Sequence, residues 1–142
     1  MPEQSTSDTY STKRAPITTV LVVDDDDNWC FVTKMLLKRA GVGQQIITAS
    51  IGLEALKKLQ DRVATGEKLP ELVFLDLKMP VMDGFEFLES VTNSAELNLS
   101  NTRIFICTSS MHSKDQERAD GYPIAGFIPK PLTQEILADL IS

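Results

Sequence analysis

The chain has 142 residues, of which 42% are hydrophobic and 24% are charged, and its formal net charge is −6. This length suits one globular domain with a substantial core, and nothing in the composition indicates a second domain. The acidic balance argues against direct binding to nucleic acid, which depends on a basic surface matched to phosphates. No apolar run approaches the roughly 18 residues of a membrane span, and the N-terminus lacks the apolar centre of a signal peptide. We therefore expect a cytoplasmic protein without membrane insertion.

Residues 1–16 are rich in serine, threonine and charged side chains and have little to bury, which predicts a disordered N-terminal arm. A globular domain is expected over residues 17–142. Cys30 and Cys107 lie in apolar surroundings without metal-ligand spacing, so we interpret both as small core residues.

Short apolar runs alternate with segments of helical period along this domain. The predicted strands cover residues 20–23, 46–49, 72–75, 104–107 and 126–128. The predicted helices cover residues 28–40, 53–63, 85–91, 114–119 and 133–141. Five such units predict an α/β fold, with a five-stranded parallel sheet and helices on both faces.

Two further expectations concern surface and core. The polar segment 60–70 is predicted to be an exposed loop before the third strand. One set of apolar residues in the first helix is predicted to be core rather than a stripe that contacts a partner: Phe31, Val32, Met35, Leu36 and Leu37.

The apolar run at residues 72–75 ends on the carboxylate of Asp76. A buried parallel strand delivers such a residue to the C-terminal edge of its sheet, where open α/β sheets bind ligands. The first strand ends in four aspartates, residues 24–27. Asp26 and Asp27 suit the N-terminus of the following helix, where negative charge is favourable.

Asp24 and Asp25 directly follow the first strand and are expected at the same sheet edge as Asp76. Three carboxylates there would repel one another strongly unless a cation joined them. Mg²⁺, which needs only one or two carboxylates and keeps several waters, fits this set. A solvated turn remains the alternative interpretation of the acidic run. Nucleotide binding is disfavoured, because the loop after the first strand has no glycine and carries four negative charges.

The fourth and fifth strands also end in polar residues. Thr108 is the first polar residue after the run 104–107, which puts its hydroxyl at the edge that holds Asp76. Lys130 follows the fifth strand, where its ammonium would face the acidic cluster, although a lysine at a strand end is more often simply exposed.

Five candidate site residues, with their local sequences, resemble the receiver domain of two-component response regulators: Asp24, Asp25, Asp76, Thr108 and Lys130. The segments that carry the resemblance are, in chain order, VLVVDD, LDLKMPVMDG, ICTS and PKP. The resemblance covers about residues 17–141. The chain most resembles stand-alone, single-domain receivers such as the chemotaxis regulators. This resemblance implies a flavodoxin-like, doubly wound sheet with the strand order 2-1-3-4-5.

The resemblance implies that Asp76 is the phosphorylation site, a nucleophile that takes a phosphoryl group from a sensor histidine kinase or a histidine phosphotransfer protein. It also implies that Mg²⁺ is held by Asp25, Asp76 and the backbone carbonyl of Lys78, with Asp24 acting through a bound water. Such a domain is a signalling component and catalyses only its own phosphorylation and dephosphorylation.

For the output, the resemblance implies that Lys130 pairs with one phosphoryl oxygen and that Thr108 turns its hydroxyl toward another. This movement would alter the surface around the loop between the fourth strand and the fourth helix, the fourth helix itself, the fifth strand and the fifth helix, which binds an unknown downstream protein. We expect a monomer or a weak dimer. The sequence ends soon after the last helix without a basic output module, which favours a single-domain regulator.

Two departures from the family concern this output. Phe127 stands where many receivers have a tyrosine, so an aromatic switch there has no hydroxyl to form a hydrogen bond. Gly121 and Pro123 fall where the fourth helix would end, which predicts that helix 4 is short or irregular.

Two alternative functions stay open. An Asp-nucleophile phosphatase with a similar sheet would place a second acid two residues after the nucleophile, where this chain has Lys78. A phosphorylation-independent interaction module would be expected to have lost the acidic pair, the acceptor or the lysine, and all of these are present.

Overall fold

The computed structural model describes residues 16–79, 81–109 and 112–141, so the predicted arm lies outside the described residues except for Pro16. Within these ranges, strands and helices alternate as β1 Thr19–Val23, α1 Asp27–Arg39, β2 Gln45–Ala49, α2 Gly52–Ala64, β3 Leu72–Asp76, α3 Gly84–Thr92, β4 Arg103–Thr108, α4 Ser113–Ala119, β5 Gly126–Pro129 and α5 Gln134–Ile141. All ten predicted elements are confirmed, each end within one residue. In the described part of the chain, no helix has the length and apolar character needed to cross a membrane.

The strands form one parallel sheet in the order β2-β1-β3-β4-β5, which confirms the predicted flavodoxin-like topology. At the C-terminal edge the register pairs Val23 with Leu75, Asp76 with Cys107, and Thr108 with Pro129. Neighbouring strands therefore end nearly level with one another. The last residues of β3 and β4 and the residues that follow β1 and β5 are therefore brought to one edge of the sheet.

Two hydrophobic clusters cover the two faces of the sheet, because successive side chains of a strand point to opposite faces. Strand residues under α2, α3 and α4 include Leu21, Leu75 and Ile106. Strand residues under α1 and α5 include Val22, Phe74 and Cys107. The sheet is thus buried on both faces, as a parallel sheet with crossover helices requires.

Both cysteines are buried, which confirms their interpretation as core residues. Cys30 on α1 is 9% exposed, and Cys107 on β4 is fully buried. Burial raises the pKa of the Cys30 thiol to about 11, and the neighbouring charge of Asp24 acts in the same direction. Burial likewise raises the pKa of Cys107. Both side chains therefore remain protonated thiols at neutral pH.

The prediction for α1 was wrong for three of its five apolar residues. Leu36 and Leu37 are buried, but Phe31, Val32 and Met35 are 65%, 38% and 38% exposed. The buried stripe of this helix is formed by Trp29, Cys30, Thr33, Leu36 and Leu37. These positions recur at helical spacing, so residues 31, 32 and 35 fall outside the face that the sheet covers.

The predicted loop over residues 60–70 overlaps the predicted helix over residues 53–63. In the overlap the loop prediction was wrong, because α2 continues to Ala64. Leu59 is buried and Val63 packs against the same cluster, so the apolar period of the helix extends into this segment. Arg62 donates through Nε to the carbonyl oxygen of Lys68 at 2.7 Å and ties the following turn to the helix.

The connection from β3 to α3 is tightly constrained. Asp83 caps α3, and its backbone N–H and the side chain of Glu86 complete a capping box. At Gly84 an added Cβ would lie 2.5 Å from the carbonyl oxygen of Asp76. Val81 has φ 69°, a left-handed conformation that is strained for a β-branched residue. Glycine at position 84 thus allows the helix to start against the end of β3.

Helix α4 has seven residues, which confirms the predicted short helix. Two contacts hold its C-terminal end against α3. The Tyr122 hydroxyl donates to Glu89 Oε1 at 2.8 Å, and the Arg118 guanidinium lies 4.3 Å from the centre of the Phe85 ring. Phe127 is half-buried and packs against the cluster that these helices cover.

We expect Gly84→Ala to destabilise the fold by about 1–3 kcal/mol, as other overpacked positions do. The added methyl group would meet the backbone of Asp76 and Leu77, which cannot move aside as a flexible side chain would. Urea denaturation measures the change. Gly121→Ala is the matched control, because its Cβ would meet only Arg118 O, at 3.5 Å. Equal stability of the two variants would contradict the close approach at Gly84.

Candidate functional site

Three carboxylates converge at the C-terminal edge of the sheet. Asp24 and Asp25 follow β1, and Asp76 is the last residue of β3. Each of the three residues contributes one carboxylate oxygen to a group in which all three oxygens lie within 4.8 Å of one another. Asp24 is 2% exposed and Asp76 is 9% exposed, whereas Asp25 is open to solvent. The structure thus brings together the three acids that the sequence singled out.

Lys130 places its ammonium among these acids. Its Nζ lies 2.6 Å from Asp24 Oδ2 and 3.8 Å from Asp76 Oδ1. The other oxygen of Asp24 accepts a hydrogen bond from the backbone N–H of Asp26 at 2.9 Å. Both carboxylate oxygens of Asp24 are therefore engaged by the protein. The peptide bond from Lys130 to Pro131 is cis.

Thr108 is half-buried at the end of β4, one residue beyond the partner of Asp76 in the register. Its carbonyl oxygen accepts a hydrogen bond from the backbone N–H of Lys130 at 3.0 Å, which joins the ends of β4 and β5. The backbone N–H of Lys78 acts to lower the pKa of the Asp76 carboxyl group. A role for the Lys78 carbonyl as a metal ligand stays a prediction.

The electrostatics of the site follow from burial and crowding. Burial raises the pKa of Asp76 and the charge of Asp24 raises it further, against the opposing effect of Lys130. Burial by itself would lower the pKa of Lys130, but the hydrogen bond and charge of Asp24 and the charge of Asp76 outweigh it, so that this pKa is raised. Lys130 therefore remains a cation at neutral pH.

The donor set fits a hard divalent cation. Three ionised carboxylates and one ammonium leave two negative charges uncompensated at the sheet edge. Carboxylate oxygens are the ligands that Mg²⁺ prefers, and the exposure of Asp25 leaves room for the waters that this ion retains.

The acidic run divides into two parts with different roles. Asp26 is the N-cap of α1 and accepts hydrogen bonds from the backbone N–H groups of Asn28 at 3.0 Å and Trp29 at 3.3 Å. Asp27 lies in the first turn. The interpretation of these two acids as a helix N-terminus is thus confirmed.

Sequence reasoning missed Trp29. The Lys130 Nζ lies 4.9 Å from the centre of the indole ring, within the range of a cation–π contact. A signal was present, since this is the chain's single tryptophan and it falls in the first turn of the helix that follows the acidic run.

Comparison with known proteins identifies the family. The model of the response regulator receiver domain matches residues 20–142. The chain belongs to this family. The resemblance carried by the sequence motifs is therefore confirmed. As a receiver domain, the chain is a component of two-component signal transduction, in which such domains act with histidine kinases or phosphotransfer proteins and serve signalling rather than conventional catalysis.

Individual relatives agree with this assignment. PilG of Pseudomonas aeruginosa is 27% identical over 122 residues, which cover 86% of this chain and 83% of PilG. The sensor histidine kinase CheAY of Helicobacter pylori is 28% identical over 122 residues, but these amount to only 14% of CheAY. The structure of the chemotaxis protein CheY4 of Vibrio cholerae is similar with a TM-score of 0.73 and 27% identity, covering 88% of this chain and 96% of CheY4.

Asp76 should make the stability of the metal-free receiver domain depend on pH. Because its pKa in the fold lies above the ordinary 3.8, the folded state binds the proton more tightly than the unfolded state. Stability contributed by this group therefore falls as pH rises from 3.8 through the raised pKa. We expect Asp76→Asn to be more stable than the wild type at neutral pH, with a gap that narrows toward pH 4.

Thermal denaturation in the presence of a chelator, over a series of pH values, measures this gap. Asp61→Asn is the matched control, because Asp61 lies on the exposed side of α2 and its substitution should have little effect at any pH. A gap between Asp76→Asn and the wild type that did not change with pH would contradict the raised pKa.

Proposed function

We propose that Asp76 accepts a phosphoryl group from the phosphohistidine of a sensor histidine kinase or a histidine phosphotransfer protein in the cytoplasm. The aspartyl phosphate then switches the surface around the β4-α4 loop, α4, β5 and α5. One observation carries the proposal: the Asp76 carboxylate is clustered with Asp24 and Asp25 and lies 3.8 Å from the Lys130 ammonium. A nucleophile, candidate metal ligands and a countercharge thus meet at one point.

The chemistry at Asp76 is a displacement at phosphorus. A carboxylate oxygen forms the new O–P bond, the P–N bond to the donor imidazole breaks, and its electron pair stays on the imidazole nitrogen. The ionised carboxylate needs no general base. Asp76 is positioned as the last residue of β3, while Lys130 is close enough to shift toward a phosphoryl oxygen.

We further propose that Asp25, Asp76 and the Lys78 carbonyl hold Mg²⁺, with Asp24 acting through a bound water. When bound, this ion neutralises the charge that spreads over the phosphoryl oxygens. The two uncompensated negative charges of the cluster support a divalent ion. Asp24 is already held by Lys130 and by the Asp26 N–H, which favours an indirect role for it.

Thr108 is proposed to carry the signal away from Asp76. Its hydroxyl would turn toward a phosphoryl oxygen, and the β4-α4 loop would move with it. The hydrogen bond from the Lys130 N–H to the Thr108 carbonyl links the two residues that would contact the phosphoryl group. Residues 110 and 111 of this loop lie outside the described residues.

Asp76→Asn should abolish labelling by a small phosphodonor such as acetyl phosphate, because the amide is a far weaker nucleophile than a carboxylate. A chelator should reduce labelling of the wild-type protein to background. Acid-urea or phosphate-affinity electrophoresis measures the modified fraction, and Asp61→Asn should be labelled like the wild type. Labelling of Asp76→Asn at the wild-type rate would refute the proposed function.

The exposed apolar residues of α1 offer a docking surface for the phosphodonor protein. Helix α1 starts beside Asp25, and Phe31 is 65% exposed one turn farther on. A donor histidine that reaches Asp76 brings its own protein against this helix. We propose that Phe31, Val32 and Met35 contact that protein.

Phe31→Ser should therefore slow phosphotransfer from a phosphorylated histidine phosphotransfer protein of the same organism by about tenfold, the effect of losing one strong interface anchor. Labelling by acetyl phosphate should not change, since that donor needs no docking surface. Leu53→Ser on α2, where Leu53 is 50% exposed, is the matched control. Equal slowing with both donors would place the defect in the site rather than at the interface.

A further inference from the structure

We propose that Trp29 is a positioning residue for Lys130, whose ammonium it holds at the acidic cluster through the face of its indole ring. The inference rests on the proposed function only in that the rate it affects is that of Asp76 phosphorylation. The contact itself is independent of that function. No motif that identified the receiver domain includes Trp29.

The geometry brings three partners to one ammonium. Lys130 Nζ lies 4.9 Å from the centre of the Trp29 ring, 2.6 Å from Asp24 Oδ2 and 3.8 Å from Asp76 Oδ1. Trp29 is 7% exposed, and the Lys130 side chain is 18% exposed. Little water can therefore reach the ammonium, and cation–π attraction is stronger when the cation is desolvated.

The ring supplies a constraint that the carboxylates lack. A lysine side chain is a point charge on a flexible four-carbon stem, so one short ion pair with Asp24 still lets the ammonium pivot about that oxygen. Such a pivot would carry the Lys130 ammonium away from Asp76, where it has to contact a phosphoryl oxygen. A rigid aromatic face in contact with the ammonium limits this motion.

Trp29 is itself firmly placed. Its backbone N–H donates to the Asp26 side chain at the N-cap of α1, which sets where the helix begins. Its ring belongs to the same buried cluster as Ile128 and Leu132, the residues two positions on either side of Lys130. The helix that carries the ring and the segment that carries the ammonium are thus packed into one core.

The first test compares Trp29→Leu with Trp29→Phe in the rate of labelling by acetyl phosphate. Leucine keeps an apolar side chain but has no ring, so we expect the labelling rate to fall. A fall of roughly threefold to thirtyfold corresponds to the range of cation–π interaction energies between exposed and desolvated sites. Phenylalanine keeps a ring face and should retain most of the rate. In a Lys130→Met background, Trp29→Leu should cause no further loss.

The second test needs no phosphorylation. Because the chain has a single tryptophan, its fluorescence reports on Trp29 alone. Lys130→Met should change the intensity or maximum of the emission of the metal-free protein, and the difference should vanish in concentrated urea. Lys58→Met on α2 is the matched control and should leave the emission unchanged, because Lys58 pairs with Glu54 on the other face of the sheet.

The outcomes separate the inference from the proposed function. Equal rates for the leucine and phenylalanine variants, an undiminished effect of Trp29→Leu without Lys130, or unchanged emission of Lys130→Met would overturn the role of Trp29. Persistent labelling of Asp76→Asn would instead overturn the function and leave the fluorescence test valid. If circular dichroism shows that Trp29→Leu does not fold, the phenylalanine variant and the emission of Lys130→Met decide.

Discussion

The structure depends on the balance of charge at one edge of its sheet. Asp24 and Asp76 are nearly buried beside each other, an arrangement that repulsion and desolvation would oppose in isolation. Lys130 offsets part of this cost through its contacts with both. The remaining negative charge at this edge favours the binding of a divalent cation, and a bound cation would in turn favour the binding of a phosphoryl group. Stability and function are therefore in opposition here, as is common where titratable groups are held in a site.

Rigid elements hold this arrangement in place. The parallel register ends β3 level with its neighbours, and both faces of the sheet are packed, so Asp76 has little freedom to relax away from Asp24. Gly84 lets α3 begin directly against the carbonyl of Asp76, while Asp26 fixes the start of α1. The site residues lie at strand ends or just beyond them, so the strand ends and helix caps determine where the reacting atoms lie.

The output side is built differently from the site. Helix α4 is short and held to α3 by the pair of Tyr122 with Glu89 and by Arg118 over Phe85. A rearrangement started at Thr108 would have to carry these contacts along or break them. Phe127 packs beneath the same helices without a hydroxyl, so any response there is one of packing rather than of hydrogen bonding.

The sequence by itself determined the order of the elements, the sheet edge where Asp76 lies and the family, because burial on both faces requires apolar runs and the site requires polar residues at their ends. It did not determine which side of α1 the sheet covers, so Phe31 was wrongly assigned to the core. Nor could it show that Trp29 lies over Lys130, more than a hundred positions away. Local pattern specifies periodicity and strand ends, whereas only tertiary packing decides which faces meet and which side chains from distant segments come into contact.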